Sequence, residues 1–230
     1  MLEMTRILYE SNQVLVVQKP GGMITEINPF EKDNLEFLCR DYLKQKINDP
    51  YLGVVHRLDR VTSGVVVFAK KRGTLKTLNR WFEERKIQKT YWAITSEPPP
   101  KEADTLVHYL LVDKNSKKAL VVDAKVEGAK KAELSYSVCS SNVHGYLLEI
   151  KPKTGRFHQI RAQLSHIGCP IIGDEKYGST AAYKLHQITL HAKSIELPEA
   201  INGSPLVFEA PSPENDIWRS FMTTLFPPIS

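Results

Sequence analysis

One short segment places a single carboxylate among cations at the edge of an apolar run. The segment is HRLDRVTSG (56–64), in which Asp59 stands between Arg57 and Arg60 and precedes a Thr-Ser-Gly turn. The following VVVFA (65–69) is typical of a buried strand. A carboxylate that a nearby guanidinium keeps ionised can act as a nucleophile or stabilise a cationic sugar-like centre. A buried structural salt bridge is the other use of such residues.

A second polar segment, KPKTGRFHQIRAQLSHIGCPIIGDEKYG (151–178), offers partners for that carboxylate. Its polar side chains crowd the start of a predicted helix and a later glycine-bounded turn: Arg156, His158, Gln159 and Arg161, then Asp174 and Tyr177. So many polar groups between apolar strands are costly to bury unless they pair. We therefore expect a pair between Asp59 and Arg161, which would satisfy both side chains.

The cations of the chain are clustered although the net charge is only +5. The first cluster lies within twenty residues and contains Lys70, Lys71, Arg72, Lys76, Arg80, Arg85, Lys86 and Lys89. A second cluster contains Lys114, Lys117, Lys118, Lys125, Lys130 and Lys131. Such clusters can neutralise RNA phosphates and release counterions. From charge alone, a solvated protein face is the more ordinary interpretation.

Several chemistries are excluded by missing motifs. The chain has no Walker-type phosphate loop, no G-x-G-x-x-G after a strand, no G-x-S-x-G and no H-E-x-x-H. Its three cysteines are far apart and form no C-x-x-C, so we expect reduced thiols and no bound metal.

The apolar pattern predicts an α+β fold with a mixed, largely antiparallel sheet flanked by single helices. The predicted helices cover 33–46, 74–85, 158–168 and 213–226, the first with a capping box of Asp33 and Glu36. Predicted strands cover 7–11, 14–19, 65–69, 90–95 and 187–197, with further short strands between 104 and 150. We expect one catalytic domain over 1–230, with its core at about 7–210 and a terminal helix at about 213–226. No membrane span or secretory signal is recognisable, which predicts a cytoplasmic protein.

These segments resemble the RluA-type pseudouridine synthases, which isomerise uridine in RNA. The resemblance rests on motifs in the family's order: ILYESNQVLVVQKPGGM (7–23), HRLDRVTSG with VVVFAK (56–70), KTYWAI (89–94), TGRFHQIRAQLSHIGCPIIGDEKYG (154–178) and LHA (190–192). It extends from about residue 7 to residue 210. Nothing before residue 7 resembles the small N-terminal RNA-binding domain of some members, so we expect no such separate domain.

The resemblance implies a role for each matched residue. Asp59 is similar to the catalytic aspartate, Tyr91 to the tyrosine that stacks on the target base, and Arg161 to the arginine that pairs with the aspartate. Arg57 resembles an arginine that enters the RNA stack where the flipped base has left. Further substrate-binding residues are predicted at His56, Thr62, Arg156, His158, Lys76, Arg80 and Lys86.

The implied reaction turns a uridine of transfer or ribosomal RNA into pseudouridine, without metal or organic cofactor. The flipped base would be detached from its ribose, rotated and rejoined through carbon. Whether Asp59 attacks the sugar, attacks the base or accepts a ribose proton stays open, as does the identity of the RNA. A catalytically silent RNA-binding protein and a nucleoside hydrolase are the competing hypotheses. RNA is the expected partner, no membrane is involved, and we expect a monomer.

Overall fold

The computed structural model describes residues 6–28, 31, 33–198 and 206–225. The chain divides into two compact units, each made of two separate stretches. The first unit contains Met1–Lys89 and Ala192–Pro211, and the second contains Thr90–His191 and Ser212–Ser230.

Eleven strands and four helices are present in the described residues. The strands are β1 Arg6–Glu10, β2 Val14–Lys19, β3 Gly53–Val54, β4 Ser63–Ala69, β5 Gln88–Thr95, β6 Ala103–Asp113, β7 Lys118–Val122, β8 Lys130–Asn142, β9 Gly145–Pro152, β10 Leu190–Leu197 and β11 Leu206–Glu209. The helices are α1 Leu35–Lys44, α2 Arg72–Glu83, α3 Gln159–His166 and α4 Asp216–Leu225.

The first unit is built on the strand order β1-β2-β4-β10, with β11 paired to β10 and β3 paired to β4. Strand β4 is buried along its whole length, as the continuous apolar run predicts. The antiparallel register places Lys19, the last residue of β2, opposite Gly64 near the start of β4. This register brings the turn after β2 to the loop that precedes β4, where Asp59 lies.

Gly64 is required by a close approach of β10. Its φ is +124°, and a Cβ at this position would lie 2.3 Å from the carbonyl oxygen of Ala192. Any side chain here would therefore displace backbone that the sheet needs.

The second unit is an antiparallel sheet in the order β5-β9-β8-β6-β7. Helix α3 packs on β6 and β7, and α4 packs on β8. One apolar cluster contains Trp92, Ile94, Leu147, Ile172, Trp218 and Phe221. A second cluster contains Leu110, Ala119, Ala132, Ala162 and Tyr177. Through Ala162, α3 packs against the strands of this sheet.

The architecture is the α+β arrangement that the sequence predicts, with three differences in detail. Helix α1 begins at Leu35 and is capped by Asn34, whose side chain accepts from the Phe37 N–H at 2.9 Å. The predicted capping box of Asp33 and Glu36 is wrong, because the Glu36 carboxylate bonds Arg40 instead.

Three of the strands that begin between 103 and 145, namely β6, β8 and β9, are longer than predicted, and the short strands β3 and β11 were missed. Strand β8 alone has 13 residues. The single-domain organisation stays a prediction. The start of the chain, residues 199–205 and the last residue of the predicted terminal helix lie outside the described residues.

Candidate active site

Main-chain hydrogen bonds hold the loop that carries Asp59. The Thr62 N–H donates to the carbonyl oxygen of Asp59 at 3.1 Å, closing a tight turn. The buried Thr25 hydroxyl donates to the Leu58 carbonyl at 3.0 Å and accepts from the Leu58 N–H at 3.2 Å. The Gly22 N–H donates to the Arg60 carbonyl at 2.8 Å. The backbone on both sides of Asp59 is therefore fixed by the segment that follows β2.

Lys19 is the residue that ties this segment together. It is fully buried, and its Nζ donates to the carbonyl oxygens of Pro20, Met23 and Arg60 at 3.0, 2.6 and 3.2 Å. Burial lowers the pKa of Lys19 to about 7, while the Asp59 carboxylate acts in the opposite direction. Asp59 thus lies in the field of a buried amine that also secures its loop.

The two arginines beside Asp59 have acidic partners of their own. Arg57 pairs with Glu26 at 3.0 Å, and both side chains are exposed, the arginine by 70%. Arg60 donates to the two Glu31 carboxylate oxygens through its two terminal NH2 groups. An exposed pair such as that of Arg57 contributes at most about 1 kcal/mol, so Arg57 is easily released.

His56 and Thr62 are held inside the loop. The half-buried His56 ring accepts from the Val67 N–H through Nε2 at 3.0 Å and packs against Phe82. Burial, and then the charge of Lys89, lower the pKa of His56 to about 3, so its ring is neutral. Thr62 is 3% exposed. The RNA contacts predicted for both residues stay predictions.

Tyr91 lies on β5 of the second unit. It is half-buried and stands opposite Ile150 of β9 in the antiparallel register. Its pairing with β9 fixes the face of the sheet from which the Tyr91 side chain leaves.

Arg161 is anchored in the second unit by Asp174. Its Nε and an NH2 group donate to the two Asp174 carboxylate oxygens at 2.7 and 2.8 Å, with exposures of 5% and 1% for the two side chains. The guanidinium carbon lies 4.9 Å from the centre of the Tyr177 ring. Its bidentate and cation–π contacts hold the guanidinium in one orientation. The pair with Asp59 stays a prediction, since the two residues belong to different units.

The start of α3 is organised by the remaining polar residues of that segment. Tyr177 bonds the His158 Nδ1 atom at 2.9 Å and accepts from the Ala119 N–H at 2.8 Å. Arg156 is half-buried and donates through Nε to the Lys131 carbonyl at 3.0 Å. The polar residues singled out in this segment are thus paired within it or with the strands beside it, whereas the buried side-chain oxygen of Gln163 has no hydrogen-bond partner.

The basic residues of α2 lie on its exposed side. Lys76 and Arg80 are exposed, whereas Leu78 and Trp81 are buried against the first unit. Lys86 follows the helix and pairs with Glu84 at 2.8 Å.

No group of three or more metal-ligating side chains occurs in the part of the chain that the structure describes. Within the same residues, no helix is long and apolar enough to cross a membrane. The three cysteines are free thiols. Burial raises the pKa of Cys39 to about 12 and that of Cys169 to about 11, so neither forms a thiolate readily.

The sequence matches a family model described as RNA pseudouridylate synthase over residues 13–166. This range includes the Asp59 loop, Tyr91 and Arg161. The chain belongs to the RNA pseudouridylate synthase family.

Individual members of the family agree with this assignment. The ribosomal large subunit pseudouridine synthase C of Buchnera aphidicola subsp. Acyrthosiphon pisum is 32% identical over 218 residues, which is 90% of this chain and 67% of that protein. The tRNA pseudouridine synthase C of Vibrio parahaemolyticus is 31% identical over 235 residues, 94% of this chain and 93% of its own. The solved structure of human RNA pseudouridylate synthase domain containing 4 shares the fold, with a TM-score of 0.76 at 24% identity over 95% of this chain and 92% of its own.

For this pseudouridylate synthase, the predicted family, fold class and enzyme class are confirmed. The site residues stay predictions, although the structure gives most of them defined surroundings. Sequence reasoning missed the contributions of Lys19, Thr25 and Glu26 to the Asp59 loop. Lys19 could have been singled out from the sequence, because it ends a predicted strand and stands directly before the Pro-Gly-Gly turn. A threonine hydroxyl follows at residue 25.

Proposed function

We propose that this protein isomerises a uridine of ribosomal or transfer RNA to pseudouridine, with Asp59 as its catalytic carboxylate. The family match over residues 13–166 supports this most directly. The rigid main-chain support of the Asp59 loop adds to it, because glycosidic chemistry needs an acid held within a fraction of an ångström.

The proposed reaction begins when the target uridine is flipped out of its RNA stack. Arg57 fills the space that the base leaves, since its surface pair with Glu26 is weak enough to exchange for RNA. Tyr91 stacks on the flipped base. Asp59 then assists cleavage of the bond between N1 of uracil and C1′ of ribose, and the enclosed base rotates and rejoins through C5. The hydrogen on C5 is lost and N1 gains one, so the product has the mass of the substrate.

Arg161 orients Asp59 in this proposal. The support is the anchoring of its guanidinium by Asp174 and Tyr177, which leaves it little freedom to turn away. A fixed arginine would give Asp59 a directional hydrogen-bond donor and so keep its carboxylate in one orientation.

RNA phosphates are the proposed ligands of the exposed cations. Lys76 and Arg80 on α2, Lys86 after it, and Arg156 with His158 before α3 supply positive or hydrogen-bonding groups on the two units. Their charge accounts for sequence-independent affinity, while the site around Asp59 selects the uridine.

The relatives support both ribosomal and transfer RNA as the substrate of this protein. The bacterial relatives include both ribosomal enzymes and a transfer RNA enzyme, for example at 32% and 31% identity. We infer a monomeric protein of the cytoplasm that needs no cofactor, as the RNA-modifying role suggests.

Pseudouridine formation by the Asp59→Asn variant tests the function. Wild-type protein incubated with total RNA from cells lacking the gene should create pseudouridine, which a carbodiimide converts to an alkali-stable adduct that stops reverse transcription, and Asp59→Asn should create none. The exposed Asp41 on α1 provides the control, because Asp41→Asn removes the same charge away from the loop. Turnover of Asp59→Asn within tenfold of wild type would refute the assignment. Release of free uracil would instead indicate a hydrolase, and wild-type RNA binding without product would indicate a silent RNA-binding protein.

A further inference from the structure

An exposed aromatic side chain stands in the loop before α3. Phe157 is 40% exposed, and one face of its ring stacks on His158 with 3.8 Å between ring centroids and 20° between planes. Its neighbours in sequence are Gly155, Arg156 and His158, and it belongs to neither of the two apolar clusters of the second unit described above. A large apolar ring kept at the surface is informative when the fold also holds it rigidly.

Buried polar side chains shape this loop. Thr154 and Gln159 are 7% and 4% exposed, and the Thr154 hydroxyl donates to the Gln159 side-chain oxygen at 2.7 Å. The same oxygen accepts from the Arg156 N–H at 3.0 Å, and the Gln159 amide donates to the Glu133 carbonyl at 3.1 Å. The backbone around Phe157 is therefore set before any ligand binds.

The stacking partner of Phe157 sits in a strained backbone conformation. His158 has φ 50° and ψ 26°, in the left-handed region that a β-carbon disfavours by about 1–2 kcal/mol. The contact between its Nδ1 atom and the Tyr177 hydroxyl, at 2.9 Å, holds the ring in this position. The fold therefore keeps His158 in an unfavourable backbone conformation in which its ring stacks on Phe157, and strain of this kind is common at functional positions.

The surroundings of Phe157 are positively charged. Arg156 precedes it and bonds the backbone of Lys131, and Lys153 lies two residues before Gly155. Both lysines pair with Glu133, at 3.2 and 2.8 Å, so three cations face one acid. An aromatic ring bordered by excess cations matches the chemistry of single-stranded nucleic acid, in which bases stack and phosphates carry the charge.

We propose that Phe157 is a stacking platform for an unpaired RNA nucleotide other than the target uridine. The base would lie against the ring of Phe157 that His158 supports, and Arg156 with Lys131 or Lys153 would bind its phosphates. The proposal rests on the proposed function in one respect, namely that the ligand is RNA. It adds a second binding position to the one that Tyr91 provides.

Affinity for a short single-stranded RNA tests the platform. Phe157→Ala should raise the Kd about 5- to 150-fold, the range that loss of one base–aromatic stack gives. Phe157→Leu keeps apolar bulk without a ring and should lose most of the same affinity, whereas Phe157→Tyr should stay within about twofold of wild type. Leu185→Ala removes an 81% exposed apolar side chain of the same unit and serves as the control. Thermal unfolding of each variant verifies that the fold is retained.

A second readout separates stacking from general binding. RNA carrying 2-aminopurine at successive unpaired positions should show one position whose fluorescence wild type quenches and Phe157→Leu does not. Wild-type affinity in both Phe157→Ala and Phe157→Leu would overturn the platform and leave the proposed function standing. A wild-type protein that fails to bind RNA at all would refute the proposed function and the platform together.

Discussion

Breaking the buried pair between Arg161 and Asp174 should destabilise the protein strongly. Asp174→Asn keeps the shape of the side chain but removes the charge opposite a guanidinium that is only 5% exposed. Removing one partner of a buried ion pair costs about 3–5 kcal/mol. Arg161→Met should cost a similar amount, because it leaves the Asp174 carboxylate buried without its bidentate partner.

The magnitude translates into a large shift of the melting temperature. For a chain of 230 residues, each kcal/mol corresponds to about 2–4 °C, so either variant should melt about 6–20 °C below wild type. Urea unfolding followed by tryptophan fluorescence measures the free energy, since Trp92 and Trp218 lie in the core of the second unit. The double variant should lose clearly less than the sum of the two single losses, because it removes both charges.

Arg60→Met provides the matched control. Arg60 also forms a two-point ion pair, with Glu31, but the side chains are 43% and 30% exposed. Its loss should cost less than about 1 kcal/mol. A cost below 1 kcal/mol for Asp174→Asn, or additive losses in the double variant, would show that the buried pair does not hold Arg161.

Three further outcomes are expected. The pKa of His56 is lowered from 6.5 to about 3 in the folded protein. Between these two pH values the unfolded chain therefore binds a proton at His56 and the folded chain does not. Stability should therefore fall as the pH drops through this range, and less so in His56→Gln; identical pH profiles of the unfolding free energy would contradict this. Arg57→Ala should slow single-turnover modification of a folded stem-loop more than that of a matched unstructured oligomer, because unstacking costs a few kcal/mol; equal losses would remove the wedge role. Neutralising the cations on and after α2 should weaken RNA binding and flatten its dependence on salt, and an unchanged slope would make them a merely solvated face. The substitutions are Lys76→Gln, Arg80→Gln and Lys86→Gln.

Long apolar runs made much of the fold predictable. The apolar run at 65–69 predicted the buried strand β4. The three-to-four-residue spacing of apolar residues in 74–85 predicted α2 with its basic residues on the exposed side, because burial of one face dominates local structure. Element ends were less predictable. Asn34 and Asp33 are both good caps by residue type, and the helix uses Asn34, whose side chain accepts from the Phe37 N–H.

The candidate site was predictable where residue type limits the chemistry. Asp59, with arginines on either side, could be singled out because a lone acid there needs a reason. The support from Lys19 was not, since its three acceptors are main-chain carbonyls and carry no residue signature. Asp174 lies 13 residues from Arg161 in the same polar segment, but the sequence could not show that this acid binds two of the three guanidinium nitrogens.

The division of each unit into two stretches has a consequence for synthesis on the ribosome. The first unit lacks β10 until residues after 191 are made, about a hundred residues later than β5 begins. At about 5–20 residues per second, that is a delay on the order of 5–20 s. The second unit is incomplete until α4 is made, because Trp218 and Phe221 of this helix complete one of its apolar clusters. A nascent chain therefore carries two incomplete cores until β10 has been made, and a stall between β11 and α4 would leave the second unit alone without its closing helix.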